Sequence, residues 1–271
     1  MRLAKTLAIA TAAAALAGPP AYAADGILIA QKITTGTNTT TNQTQIEKTR
    51  MRTETVGPNG RKQIMIFDGN AQVMRMIDEG AKTYSEMTKA DVERAAAQMS
   101  GAMAQMQAQM QNLPPEQRAR MEAMMQQGRG MLGAMVPARP EYKKSGTDTV
   151  GRWTCDKYEG TRNGEKASEI CTVDPSALGF AMGDFEIAKQ FGEFFSKLMP
   201  QGMERLFTVG ASGPAGFSGI PVRSVSYGAG GKETSTMELT DASRQSFPDS
   251  LFAVPPGFQK REFPGMGRGR Q

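Results

Sequence analysis

Residues 151–174 read GRWTCDKYEGTRNGEKASEICTVD, and the fold is decided here. The stretch is a β-hairpin in outline, with Arg162-Asn163-Gly164 supplying the turn. Gly164 suits the left-handed position of a three-residue loop. Centring the hairpin on Asn163 sets Cys155 opposite Cys171 and Trp153 opposite Val173. Directly opposed residues have Cα atoms roughly 4.5–5.5 Å apart, within reach of a disulfide. The period of two puts all four side chains on one face. The expectation is a core ribbon stapled by a Cys155–Cys171 disulfide, on condition that no single-residue bulge turns one cysteine to the other face.

The staple fits an export signal at the other end of the chain. Arg2 and Lys5 form a basic start, Leu7 to Ala17 is a short apolar run, and Ala21-Tyr22-Ala23 is an A-x-A cleavage site. Residues 1–23 are therefore expected to be a signal peptide, with the mature protein starting at Ala24 in the periplasm. The apolar run is too short to span a bilayer, and no other segment is apolar enough to do so. The sequence has two Cys, and an oxidising compartment pairs them. Loss of Arg2 and Lys5 with the leader lowers the net charge by two, from +5 to +3. That charge is spread along the chain and argues against nucleic acid as a partner. The concentrated basic stretch is the tail, read as disordered over 265–271.

Between the leader and the tail, residues 24–264 read as a single domain. Gly26–Thr35 is a strand, and Thr37–Thr44 is a Thr/Asn-rich tract suited to an exposed ribbon. Ile46–Thr55, Lys62–Phe67, Ala71–Ile77 and Lys82–Met87 follow as strands, separated by Gly57-Pro58-Asn59-Gly60, Asp68-Gly69-Asn70 and Asp78-Glu79-Gly80. Short strands at this spacing indicate a sandwich, a barrel or a half-barrel. At Thr88 the composition changes. Residues 88–135 are rich in Met, Ala, Gln, Glu and Arg and read as an inserted helical hairpin. Thr88 and Asp91 make a capping box, and Met99, Met103, Met106, Met110 and Leu113 recur at helical spacing. Pro114-Pro115-Glu116 interrupt the hairpin. Four readings of this methionine stripe stand side by side. It is an apolar seam, a soft-metal site for Cu(I), a pliable surface for acyl chains or unfolded segments, or an oxidation sink.

Strands resume at Tyr142–Thr149 and run through the stapled hairpin. Asp184 is placed to cap a helix over Phe185–Met199, on which Ile187, Phe191, Phe194, Phe195 and Leu198 share one face. Val222–Tyr227 and Glu233–Thr240 are the last strands, and the prolines of the closing Leu251–Phe258 segment suit the end of an edge strand.

Three places resemble domain-of-unknown-function family 4412, a family of exported bacterial proteins. They are Lys82-Thr83-Tyr84-Ser85-Glu86-Met87, Gly151-Arg152-Trp153-Thr154-Cys155-Asp156-Lys157-Tyr158, and the closing Leu251-Phe252-x-Val254-Pro255-x-Gly257-Phe258. In order and spacing they span roughly residues 25–87 and 140–263. The family is similar in fold to the periplasmic outer-membrane lipoprotein carrier. The resemblance implies an α+β fold: a strongly curved antiparallel half-barrel with helices on its concave face. It also implies a grip on something apolar, a lipid or an acylated protein, and carries no catalytic residues. Leu113-Pro114-Pro115-Glu116-Gln117-Arg118 faintly resembles the repeat of small periplasmic stress chaperones. That keeps open an alternative, an interaction or chaperone-like role through the hairpin.

The sequence contains no His, and the disulfide occupies both Cys. The commonest general base and the free thiol nucleophile are thus missing. No nucleophile elbow, phosphate loop or spaced acidic metal cluster is present. The expectation is a binding protein rather than an enzyme, with no cofactor and no metal. Its cavity candidates are Phe191, Phe194, Phe195 and Leu198 as a fixed plug, and Met103, Met106 and Met110 on the hairpin as a movable lid.

Overall fold

The computed structural model describes residues 26–111, 114, 117, 140–196 and 216–263. Six strands come first: β1 (Gly26–Thr35), β2 (Asn38–Ile46), β3 (Arg50–Val56), β4 (Lys62–Asp68), β5 (Val73–Asp78) and β6 (Thr83–Thr88). The Thr/Asn-rich tract makes up most of β2, which runs on through Gln45 to Ile46 rather than yielding Ile46 to the next strand. Thr is a good strand residue, and its hydroxyls pair across strands: Thr44 and Thr53 lie 3.3 Å apart through their Oγ1 atoms. Two matching turns join β4 to β5 and β5 to β6. Asp68 Oδ1 accepts from the Ala71 amide at 2.9 Å, and Asp78 Oδ1 from the Ala81 amide at 3.0 Å.

Helix α1 (Lys89–Gln111) leaves β6 through the expected capping box. The Thr88 amide donates to Asp91 Oδ2 at 3.0 Å, and the Asp91 amide donates to Thr88 Oγ1 at 3.2 Å. The Thr88 hydroxyl, donating to Asp91 Oδ2 at 2.7 Å, and next the Thr88 amide hold the Asp91 carboxyl below its usual range. The second half of the expected hairpin lies outside the described residues, as do the leader and the basic tail.

Five further strands follow: β7 (Glu141–Val150), β8 (Trp153–Arg162), β9 (Glu165–Val173), β10 (Ile220–Tyr227) and β11 (Glu233–Gln245). The β8–β9 turn corrects the expected three-residue loop. Asn163 and Gly164 both take left-handed φ, 54° and 81°, forming a two-residue turn. The pairing then shifts at Gly160/Thr161, so that Lys157 rather than Cys155 faces Cys171. The shorter turn and the bulge each move the register by one, and together they keep both cysteines on one face. The disulfide forms diagonally, with Cα atoms 5.5 Å apart.

Helix α2 (Glu186–Ser196) follows β9 through two short 3-10 turns, Pro175–Leu178 and Met182–Phe185. Asp184 serves the second of these turns, accepting from the Ala181 amide at 2.7 Å and from Arg244 at 2.5 Å, rather than capping α2. A last short strand, β12 (Gln259–Arg261), pairs parallel with β6.

All twelve strands form one sheet in the order β12-β6-β5-β4-β3-β2-β1-β11-β10-β9-β8-β7. Two antiparallel meanders thus join edge to edge where β1 pairs β11. The ends β7 and β12 do not pair, so the sheet is open, consistent with a half-barrel.

The closing segment corrects another expectation. Pro255 and Pro256 lie ahead of β12 rather than at a strand end, in a strap that crosses the face opposite α2. Phe252 is buried there with Ile64, Ile66 and Ile77, flanked by Tyr84, Phe247, Leu251, Val254 and Phe258. Arg50 holds the strap's start through Asp249 at 2.5 Å and over the Phe252 ring at 4.3 Å. Lys260 holds its end by donating to Glu86.

This end of the strap is expected to loosen in acid. The Glu86 carboxyl sits below its usual 4.5, first because Lys260 donates to it, with Arg75 adding to the effect against the cost of burial. A lowered carboxyl pKa stabilises above its unfolded value, and the gain is lost as pH falls through the folded one. The partner lysine is raised above 10.5, chiefly by the same bond, so the pair is intact between those limits. Because Lys260 is 58% exposed, screening keeps the pair below about 1 kcal/mol. Hydrogen exchange at the Gln259 amide, which donates to the Lys82 carbonyl at 3.0 Å, should quicken relative to its intrinsic rate between pH 6 and pH 3. Glu86→Gln should remove that dependence. An unchanged pH response in the variant would show that another group controls the strap.

Candidate apolar binding face

The register sorts the α2 side of the N-terminal meander into rows running across the strands. The first row is Ile27–Ile46–Met51–Phe67–Met74–Met87, each residue paired with the next. Every member is buried and none is charged. The second row is Ile29–Thr44–Thr53–Met65–Met76–Ser85. It is still uncharged, but it reaches water at Met76, which is 36% exposed. The third row, Gln31–Asn42–Thr55–Gln63–Asp78–Thr83, is amide and hydroxyl with one carboxylate. Within three rows the face grades from sealed apolar surface to a wet polar edge.

Helix α2 seals the first row. Its Phe191 and Phe194 are buried, and both reach Phe67, with ring centroids 5.3 and 5.4 Å apart. Phe195 is half-buried and packs 5.0 Å from Phe191 and 5.3 Å from Phe194. These centroid distances and tilts lie in the favourable range for aromatic pairs. The approach of α2 explains Gly69 at the tip of the β4–β5 turn. A Cβ there would sit 2.5 Å from Ile187 Cδ1 and 2.6 Å from Gln190 Oε1. Helix α1 touches α2 and contributes Val92, which is 1% exposed, to the same core.

The C-terminal meander continues this face. Trp153, Cys155, Cys171, Val173, Ile220, Val222, Leu239 and Ala242 join the same buried cluster, which draws on ten of the twelve strands.

The opposite face of the N-terminal meander carries most of its charges. Gln45, Arg52, Ile66, Arg75 and Glu86 form one of its rows, and Glu54 stands in the next. Burial raises the Glu54 carboxyl, but hydrogen bonds from Arg52 and Lys62 together outweigh it and leave its pKa lowered. Arg52, at 7% exposure, also donates to Gln45 Oε1 at 3.3 Å. In the N-terminal meander the buried Arg52 is thus paired on the side away from α2.

Of the residues expected from sequence, Phe191, Phe194 and Phe195 come together under α2. Leu198 lies outside the described residues. Met103, Met106 and Met110 fall within α1, but their side chains lie outside the described residues. The sequence reading missed Phe67, Met51, Met65, Met74 and Met76. Their signal was the alternation in Ile64-Met65-Ile66-Phe67 and Met74-Arg75-Met76-Ile77, readable only once a face is assigned.

Among the described residues, no group of three or more His, Cys, Asp or Glu could hold a metal ion. Among the same residues, no helix is long and apolar enough to cross a membrane. No protein-family model matches the chain, and no curated protein matches it. Two solved structures illustrate the similarity. An uncharacterized conserved protein from Thermus thermophilus aligns over 89% of this chain and 91% of its own, at 7% identity and a TM-score of 0.45. MucB, solved in complex with MucA(peri), aligns over 84% of this chain and 54% of its own, at 11% identity and a TM-score of 0.37. At these scores neither carries an inference about this chain.

Proposed function

We propose that this is an exported, non-enzymatic binding or carrier protein. It holds an apolar ligand, a lipid or the acyl part of an acylated protein, against the α2-covered face of a strongly curved half-barrel. The observation that carries the reading is the graded face: an uncharged apolar row under aromatic rings, opening within one row to water at Met76. An amphiphile with one apolar end fits such a gradient. The curvature is supported by spacing. Ten strands laid flat would span roughly 43 Å at about 4.8 Å per gap. An eleven-residue α2 is only about 16 Å long. A single buried cluster joining Met87 on β6 to Trp153 on β8, covered by α2 together with Val92, Leu178, Phe180 and Phe185, fits a sheet that bends around these elements. The Cys155–Cys171 disulfide agrees with export to an oxidising compartment.

The test is native mass spectrometry of protein purified from the periplasm without detergent, followed by titration with a fluorescent acyl probe. Co-purifying lipid and saturable probe binding are the expected results. A co-purifying polypeptide with no lipid would favour the chaperone-like alternative. An empty protein that also ignores the probe would overturn the carrier reading.

A further inference from the structure

Met65 and Met76 face each other across β4 and β5, with Thr53 beside Met65 and Ser85 beside Met76. Met65 is half-buried against the main core, whereas Met76 is 36% exposed. Among the described residues, the exposed large apolar side chains are Met76 and Met182, and both are thioethers. A Leu or Ile at these places would not be oxidised by peroxide, whereas a thioether is. Met51, Met74 and Met87 share the same face one row away but are buried. The thioethers of this face thus run from exposed Met76 through half-buried Met65 to buried Met51, Met74 and Met87, and oxidation follows access.

We propose that Met76 is an oxidation site for peroxide-class oxidants and that its sulfoxide weakens the grip on an apolar ligand. The thioether sulfur attacks one oxygen of hydrogen peroxide. An S–O bond forms and the O–O bond breaks. The proton on the transferred oxygen passes to the departing hydroxide, which leaves as water. Sulfur loses two electrons and the peroxide gains them. The product is polar and a strong hydrogen-bond acceptor. Ser85 is its directly opposed neighbour, at a Cβ separation of roughly 4.5–5.5 Å for such pairs, so a hydroxyl donor stands ready for the new oxygen. The wet edge of the face would then advance by one row, to the border of Met74 and Phe67. This consequence, unlike the oxidation itself, rests on the apolar-binding reading.

Two measurements test it. Mature protein is treated with limiting hydrogen peroxide, and each methionine is followed by peptide mass mapping. Met76 and Met182 should gain oxygen roughly tenfold faster than Met51, Met74 and Met87. Equal rates across the five would overturn the site. In the second arm, a fluorescent hexadecanoic acid is titrated into M76Q, M76L and M182Q. Glutamine puts a carbonyl oxygen where the sulfoxide oxygen would stand. M76Q should weaken probe binding roughly fivefold relative to M76L, which keeps an apolar side chain at the same place, while M182Q, outside the face, stays within roughly twofold of the parent. An M76Q protein that binds like the parent would overturn the consequence. A parent that binds no probe would overturn the apolar-binding reading instead, with the oxidation site still decided by the mapping.

Discussion

Phe67→Ala is expected to lower the unfolding free energy by about 3–5 kcal/mol, the range for truncating a fully enclosed phenylalanine. Phe67 is 0% exposed and lies at the middle of the apolar row, between Met51 and Met74. It is also the seat of α2, because Phe191 and Phe194 both close on its ring. Truncation removes the buried area, leaves a cavity under a short helix, and loses two aromatic contacts each contributing about 0.5–1.5 kcal/mol beyond area. An eleven-residue helix is marginal in isolation, so losing its seat should also release α2. Urea unfolding followed by circular dichroism measures the stability, and hydrogen exchange along 186–196 measures the docking. Phe194→Ala should fall in the same range, and the two substitutions together should cost less than their sum, since they share one contact. A loss below about 1 kcal/mol for Phe67→Ala, with α2 still protected, would show that the helix is held elsewhere.

Replacing both cysteines with alanine is expected to cost about 3 kcal/mol, from the loop-closure cost of a loop of this size. The two residues are separated by 16 positions, and both are buried in the core that α2 completes. The loss should exceed a simple staple effect in one respect. The β8–β9 pairing shifts at Gly160/Thr161, and a shift of one residue there would turn every following side chain of the strand to the other face. The diagonal disulfide lies beyond that shift and fixes its outcome. Exchange of the β8 and β9 amides should therefore rise more than that of β4 and β5. Trp153, 8% exposed on the same face two residues from Cys155, reports the change by fluorescence. An unchanged urea midpoint in the double variant would mean that strand pairing alone sets the register.

The sequence by itself determined the local elements whose signals lie within a few residues. The Thr88–Asp91 box starts α1 because both bonds are made within one turn of chain. Asp68 and Asp78 make their turns with their own neighbours. Phe191, Phe194 and Phe195 fall on one side of α2 because a helix has a fixed period. Even the shared face of Cys155 and Cys171 was legible although the turn length was not, because two register shifts of one residue restore the parity.

Tertiary structure alone decided how these pieces meet. Nothing local says that β1 pairs β11, with Gly26 facing Gln245, because a strand edge offers the same backbone groups to any partner. Nothing local says that Leu251–Phe258 crosses the far face as a strap, because Phe252 would be equally apolar on either side. The graded face is of the same kind. Met51, Phe67 and Met74 are scattered along the chain, and so are Met65 and Met76. Only their registers across β3, β4 and β5 align the first three under α2 and leave Met76 at the water. Alternation gives each strand two faces, but which face is covered depends on where a helix more than a hundred residues later comes to rest.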